Sequence, residues 1–315
     1  MKRKSIIISI SSYNLSLSEE DLIQKGKPWG VILFKRNIKS FDQLKNLTSR
    51  IRFLMKDPFY PILVDQEGGK VNRLSNLIDM SEFSQSYFGK LYEKNKLFGI
   101  NSYKKYLTFT FQISKESGIN INTIPVLDIL RDTTHSIIGN RSYSRKSNII
   151  NALKKVCLST SNDLKIGTVS KHIPGHGCSN VDTHKNQSIV NKSEKYLFRQ
   201  DFKAFNQIKS NFAMTAHIIY KKIDSEFTAT HSKKIIKNII RNKLGFKGIL
   251  ISDDISMKAL NGNLVYNANK AIESGCNLAL YCGGKVKESR ELLSKIVDID
   301  NFTKKKTSEF YRFLR

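Results

Sequence analysis

The segment IGTVSKHIPGHGCSNVDTH (residues 166–184) joins an apolar, β-branched run to a loop that is rich in titratable side chains. Ile166 and Val169 are typical of a buried strand, and the polar residues begin where that strand would end. Three of the chain's six histidines lie in this loop, together with Lys171 and Asp182. Because catalytic side chains follow the strands of a parallel α/β barrel, the segment predicts both a strand and part of an active site.

Proton transfer is the chemistry that this loop favours. Gly175 and Gly177 flank His176 and lack a Cβ atom, so the backbone can turn sharply there. Asp182 and His184 are two residues apart. The carboxylate can therefore hold one imidazole N–H while the other nitrogen stays available for a proton. A lone histidine on a surface loop would not indicate proton transfer. This loop, by contrast, holds several titratable side chains.

Apolar runs and helical patterns alternate along the chain. The pattern predicts eight parallel strands, each nearly continuous in apolar residues as a sheet buried on both faces requires, at residues 6–11, 29–34, 60–64, 119–129, 166–170, 212–216, 248–252 and 277–281. Eight βα units favour a single (β/α)8 TIM-type barrel of the α/β class over a doubly wound sheet with a second domain. We expect one catalytic domain over residues 1–315, with a barrel core at about 5–297 and a basic C-terminal extension at about 298–315.

Polar side chains recur just after the predicted strands, where a barrel places its active site. They are Asp65, Glu67, Asp128, Lys171, His172, His217, Asp253 and Asp254, with Arg141 further downstream of the fourth strand. Of the two adjacent aspartates, one could face the site while the other caps the next helix. His217 could equally be a satisfied polar group that lines the barrel. Asp65 could accept hydrogen bonds from sugar hydroxyls, and Arg73 could donate to them.

Composition restricts the partners. The chain has 53 Lys and Arg residues against 27 Asp and Glu, a net charge of +26, which would suit an anionic partner if the lysines clustered. They are dispersed apart from the run 304–306, so we expect no nucleic-acid partner. No apolar stretch is long enough to cross a membrane, and the four cysteines lack the spacing of a zinc site or a disulfide framework. We expect a cytoplasmic protein with reduced thiols and no stable membrane insertion, and we favour a monomer.

Five segments resemble the family 3 glycoside hydrolases, and most closely the single-domain bacterial β-N-acetylhexosaminidases of cell-wall recycling. They run in the same order along most of the chain: VDQEGGKVNRL (64–74), KHIPGHG (171–177), VDTH (181–184), AMTAH (213–217) and LISDDISM (250–257). This combination is highly specific. One departure is Cys178, which stands where the family often has an acidic residue.

The resemblance implies an exo-acting, retaining β-N-acetylglucosaminidase that works without a metal ion or an organic cofactor. Its substrate would be a small carbohydrate, a muropeptide-derived disaccharide that contains N-acetylglucosamine. Asp253 would be the nucleophile, and His184, oriented by Asp182, the mobile acid/base. The sugar would be held by Asp65, Arg73, Arg141, Lys171 and His172.

Another β-glycosidase activity of family 3 stays open on the sequence, and so do three further functions. An imidazole base carries no negative charge, so phosphate could approach the glycosyl-enzyme, and a β-N-acetylglucosaminide phosphorylase is one alternative. A metal-dependent barrel hydrolase would use His172, His176, His184 and Asp253, although Pro174 and Gly175 forbid the helix that would align the first two histidines. A basic nucleic-acid-binding protein that kept a barrel scaffold is the third.

Overall fold

The computed structural model describes residues 2–132, 134–183 and 186–315. Its strands are β1 (Lys4–Ser9), β2 (Pro28–Leu33), β3 (Ile62–Val64), β4 (Gln66–Gly68), β5 (Val71–Asn72), β6 (Ile121–Asn122), β7 (Gly167–Ile173), β8 (Ser188–Val190), β9 (Phe212–Thr215), β10 (Ile218–Tyr220), β11 (Ile249–Asp254) and β12 (Leu278–Tyr281). Its α-helices are α1 (Leu17–Gly26), α2 (Phe41–Met55), α3 (Gln85–Lys94), α4 (Lys96–Glu116), α5 (Ser147–Leu164), α6 (Glu194–Gln200), α7 (Leu264–Ser274), α8 (Val286–Lys295) and α9 (Asn301–Leu314).

Eight of these strands close into a parallel barrel in the order β1-β12-β11-β9-β7-β6-β3-β2. The barrel closes where β1 pairs with β12, with Ile7 opposite Leu280. Two small sheets, β8 with β10 and β4 with β5, lie outside it. The predicted α/β class and (β/α)8 barrel are confirmed, and each predicted strand overlaps one strand of the barrel.

Two elements differ from the sequence prediction. The fourth barrel strand, predicted over residues 119–129, is the two-residue strand β6. Pro125 has no backbone N–H to extend the ladder, although its carbonyl accepts a hydrogen bond from Lys171 N at 3.0 Å, so the chain still follows β7. The helix expected before β11 is a π-helix over Ile235–Lys243.

Amphipathic helices cover the barrel as their sequences require. Helix α2 buries Leu44, Leu47, Ile51 and Leu54, which lie three or four residues apart on one face. Helix α1 begins at a capping box, in which the Ser16 side chain accepts from Glu19 N and the Glu19 carboxylate accepts from Ser16 N. Within the described part of the chain, no helix has both the length and the apolar character that crossing a membrane requires.

The last helix closes the end of the barrel where the strands begin. Phe310 of α9 packs edge-on against Phe212 at the start of β9, with ring centroids 5.0 Å apart. Trp29 at the start of β2 donates from Nε1 to Thr307 Oγ1 at 2.9 Å. All four side chains are buried. The carboxyl ends of the strands therefore form the opposite face, away from α9.

Phe310→Ala should lower the free energy of unfolding by about 3–5 kcal/mol, because it leaves a cavity beside the buried ring of Phe212. Urea denaturation followed by circular dichroism measures this change. The matched control is Phe98→Ala on α4, where the side chain is 58% exposed and the expected loss is below about 0.5 kcal/mol. Equal losses in the two variants would contradict a closing role for α9.

Candidate active site

One cavity at the carboxyl ends of the barrel strands gathers the residues singled out from the sequence. Its volume is about 450 Å³. Seven of the eight predicted site residues line it: Asp65, Arg73, Arg141, Lys171, His172, Asp182 and Asp253. The eighth, His184, lies outside the described residues. The structure thus brings together residues from four barrel strands or the loops that follow them, while their roles stay predictions.

Lys171, at the end of β7, is the centre of a buried charge cluster. Its Nζ atom lies 2.6 Å from Glu67 Oε1, 3.1 Å from Asp65 Oδ1 and 2.8 Å from Thr123 Oγ1. An ammonium group has three hydrogens, and each of them has an acceptor here. Lys171 therefore orients two carboxylates along one wall of the cavity.

Glu67 also pairs with Arg141, which extends the cluster across the cavity. The pair is bidentate, with Arg141 Nε 2.8 Å from Glu67 Oε2 and Nη2 2.9 Å from Oε1. Burial opposes ionisation of Glu67, but Arg141 and Lys171 outweigh it and lower its pKa to about 2. Burial likewise opposes ionisation of Asp65, whose pKa is held well below its usual value by Lys171 and Arg73. Both carboxyl groups are therefore ionised at neutral pH.

His172 is oriented by a fully buried carboxylate, Asp128. His172 Nδ1 lies 2.6 Å from Asp128 Oδ2, so it carries the hydrogen, and Nε2 faces the cavity. Asp128 also accepts hydrogen bonds from His172 N at 3.3 Å and His176 N at 2.7 Å. His172 Nε2 is 3.5 Å from Arg141 Nη2 and 4.0 Å from Asp253 Oδ2. The imidazole thus stands between an arginine and the predicted nucleophile.

The structure distinguishes the two aspartates at the end of β11. Asp253 lines the cavity. The Asp254 carboxylate is bound by Ser256 Oγ at 2.7 Å and by Cys282 N at 3.2 Å, so it fixes the start of the following loop and the end of β12. Asp253 is thus the aspartate that faces the cavity, whereas the helix-capping role suggested for its neighbour is not seen, because Asn263 caps α7.

His217 is a satisfied polar group beneath Asp254, as one interpretation of the sequence held. Its Nε2 donates to the Asp254 carbonyl at 3.0 Å, and its Nδ1 accepts from Thr230 Oγ1 at 2.7 Å. Burial lowers its pKa, so the ring stays neutral near pH 7.

Two histidines of the alternative metal set each have one ring nitrogen next to a protein partner. His172 Nδ1 is bound to Asp128, and His176 Nε2 lies 3.3 Å from Thr183 Oγ1. Over residues 2–132, 134–183 and 186–315, no group of three or more His, Cys, Asp or Glu side chains is arranged to hold a metal ion.

Sequence reasoning noted Glu67 and Asp128 only as polar residues after strands and gave neither a place in the site. Glu67 joins Lys171 to Arg141, and Asp128 orients His172. The signal that could have found them is the number of cations at neighbouring strand ends. A buried Lys or Arg needs a carboxylate partner. Glu67 and Asp128 each follow a predicted strand, so they are acidic residues that could lie beside those cations.

The fold and the cavity together define a barrel enzyme of the α/β class. The family model described as Glycosyl hydrolase family 3 N terminal domain matches residues 6–309, and the chain belongs to this family. The family resemblance of the sequence is confirmed.

Similar proteins align with most of the chain. A Beta-hexosaminidase from Nitrosomonas eutropha is 32% identical over 274 residues, which cover 85% of this chain and 78% of that protein. A Beta-hexosaminidase from Haemophilus influenzae is 30% identical over 297 residues and covers 88% of this chain and 79% of its own. The crystal structure of NagZ from Neisseria gonorrhoeae in complex with N-trifluoroacetyl-D-glucosamine has a TM-score of 0.89 at 25% identity, covering 100% of this chain and 90% of that one.

Glu67→Gln should weaken the pH dependence of stability. As the pH falls from 6 to 3, the unfolded chain takes up a proton near 4.5, whereas folded Glu67 does so only at about 2. The stabilisation is complete above the unfolded value and is lost toward the folded one, so this group alone removes about 2 kcal/mol of unfolding free energy by pH 3.

Urea denaturation at pH 6 and pH 3 measures this difference. The variant should lose less stability between the two values than the wild type, while starting lower at pH 6 because Arg141 and Lys171 lose a partner. Glu116→Gln, at an exposed position on α4, is the control and should keep the wild-type difference. A Glu67 variant with the wild-type pH dependence would contradict the charge cluster.

Proposed function

We propose that the protein is an exo-acting, retaining β-N-acetylglucosaminidase that releases N-acetylglucosamine from muropeptide-derived disaccharides through a covalent glycosyl-enzyme. One observation carries the proposal: in a family 3 barrel, Asp253 lines a single cavity together with Asp65, Lys171, His172 and Arg141. The names of the relatives and the glucosamine derivative bound to the Neisseria protein support the choice of sugar.

A retaining glycosidase needs a nucleophile on one face of the sugar ring and an acid/base on the other. Asp253 takes the first role, attacking the anomeric carbon while the leaving oxygen is protonated. His172 Nε2, 4.0 Å from Asp253 Oδ2, lies within reach of a hydroxyl next to the reacting carbon. Its hydrogen bond to that hydroxyl would fix the ring relative to the nucleophile.

His184 takes the second role, with Asp182 holding its imidazole. The histidine donates a proton to the leaving oxygen in the first step and accepts one from water in the second. An imidazole also avoids placing another negative charge beside the nucleophile. Asp182, the residue proposed to hold His184, lines the same cavity as Asp253. This is where the acid/base is needed.

The charged wall opposite Asp253 recognises the sugar. Lys171 has its three hydrogens directed to protein acceptors, so it acts mainly by holding Asp65 and Glu67 in place. Asp65 is left as an acceptor for sugar hydroxyls. Arg73, which stacks on Phe34 with its guanidinium carbon 5.5 Å from the ring centroid, and Arg141 supply donors. No metal ion or organic cofactor has a part in this scheme.

The whole chain works as one catalytic domain on a small carbohydrate, in the cytoplasm and without a nucleic-acid partner. All four cysteines are within the described residues and are free thiols, which suits a reducing compartment. The last helix, α9, packs against the barrel core through Phe310, which supports including it in that domain.

Turnover of an aryl β-N-acetylglucosaminide, compared with the matching β-glucoside and measured with and without phosphate, tests the proposed function. We expect turnover of the N-acetylglucosaminide, little of the glucoside, and N-acetylglucosamine rather than its 1-phosphate as product. Asp253→Asn should lower kcat by at least about 1,000-fold, because no other carboxylate is placed to form the covalent intermediate. An active Asp253→Asn beside an inactive Asp254→Asn would show that the nucleophile is the other aspartate.

His184→Ala should affect substrates according to their leaving groups. A sugar alkoxide needs a proton to depart, whereas a nitrophenolate leaves unaided, so the disaccharide should be slowed severely and the first step on a nitrophenyl glycoside spared. The second step still lacks its base. Glycosyl-enzyme should therefore accumulate, giving a burst of nitrophenol and a lower KM.

Azide needs no base and should restore turnover of the nitrophenyl substrate. Asp182→Asn should show the same pattern to a smaller extent, since it orients the imidazole without moving the proton. Equal loss on both substrates, with neither burst nor azide rescue, would mean that His184 binds sugar instead of transferring protons.

A further inference from the structure

Thr183 attaches the segment that carries Asp182 to two other parts of the site. Its hydroxyl oxygen lies 3.3 Å from His176 Nε2, and its carbonyl accepts a hydrogen bond from Ala259 N at 3.2 Å, in the loop after β11. The Thr183 side chain is only 3% exposed. In the sequence it directly follows Asp182, so whatever holds Thr183 also restricts where Asp182 lies.

His176, the partner of Thr183, is itself linked through Asp128 to His172, one of the residues proposed to bind the sugar. Its backbone N donates to Asp128 Oδ1 at 2.7 Å, and the same carboxylate binds His172 Nδ1. The rings of His176 and His172 meet edge to face, with centroids 5.7 Å apart. The position of His176 is therefore fixed relative to His172.

The hydrogen of the His176 ring can be assigned. Burial lowers the His176 pKa to about 4, so near neutral pH the imidazole is uncharged and has one N–H. Nδ1 has no hydrogen-bond partner among the described residues. A hydrogen on Nδ1 would be a buried donor without an acceptor, which costs more than a bare lone pair there. The hydrogen therefore belongs on Nε2, which donates it to Thr183 Oγ1.

We propose that His176 and Thr183 are positioning residues for the acid/base step, and that their hydrogen bond holds the part of the loop that carries Asp182 in place relative to His172. This inference rests on the proposed function, since it assigns the bond a purpose in that reaction. Neither residue touches the reacting atoms. Their contribution is to fix the distance between the acid/base and the leaving oxygen, which proton transfer requires.

Thr183→Val and Thr183→Ser form a matched pair that tests this. Valine keeps the shape and removes the hydroxyl, and serine keeps the hydroxyl. The readout is kcat/KM, which reports the first chemical step, for diacetylchitobiose and for a dinitrophenyl β-N-acetylglucosaminide. We expect Thr183→Val to lose about 10–100-fold on the disaccharide and less than about 3-fold on the dinitrophenyl substrate, with Thr183→Ser close to wild type on both.

His176→Ala removes the same bond from the other side and gives a second measurement if Thr183→Val does not fold. It should show the same selective loss on the disaccharide. Combined with Thr183→Val, it should be little worse than His176→Ala alone, because both substitutions delete one interaction. Thr160→Val is the control. Thr160 is a buried threonine on α5 that bonds to the Val156 carbonyl, and its replacement should leave both rates unchanged.

A structural role alone would slow the two substrates alike. That outcome, or Thr183→Val and His176→Ala enzymes with wild-type rates on both, would overturn the positioning role. Failure of the proposed function is a different result, because the wild type itself would then turn over neither glycoside. Azide rescue of dinitrophenyl turnover in Thr183→Val would support the inference, since azide replaces the base that the segment presents.

Discussion

The site depends on the neutralisation of charges that the barrel removes from water. Lys171 and Arg141 are buried with Asp65 and Glu67, and removing any one of these four groups would leave the cluster with one uncompensated charge in a poorly solvated place. The pairing keeps both carboxylates ionised and both cations in fixed positions. The wall is therefore preorganised, and a sugar that replaces water against it meets groups that need no further ordering.

Asp128 extends this order to the other side of the cavity. One buried carboxylate binds the imidazole of His172, a proposed sugar-binding residue, and the backbone of His176, which is proposed to hold the loop of Asp182 through Thr183. Burial raises the cost of its charge, but His172 and the neighbouring N–H groups lower its pKa. The proposed sugar-binding and proton-transfer parts of the site thus share one support, the Asp128 carboxylate.

The barrel was predictable because its strands are apolar on both faces, and the cavity was predictable because titratable residues follow those strands. Pairings between distant residues were not predictable in the same way. That Glu67 joins Lys171 to Arg141, or that the Asp254 carboxylate accepts from Cys282 N, follows only from the closed barrel. The short β6 and the π-helix at Ile235–Lys243 also depend on local backbone constraints and packing that periodicity does not encode.

The pairing of β1 with β12 makes the first and last barrel strands neighbours, with Ile7 opposite Leu280. A ribosome that synthesises this chain from its amino end therefore releases β1 long before its partner exists. Until β12 emerges, one edge of β1 and the ring of apolar side chains inside the barrel have nothing to cover them. The closed barrel is thus a late event in the life of each molecule, and the partly made chain is the form most exposed to aggregation.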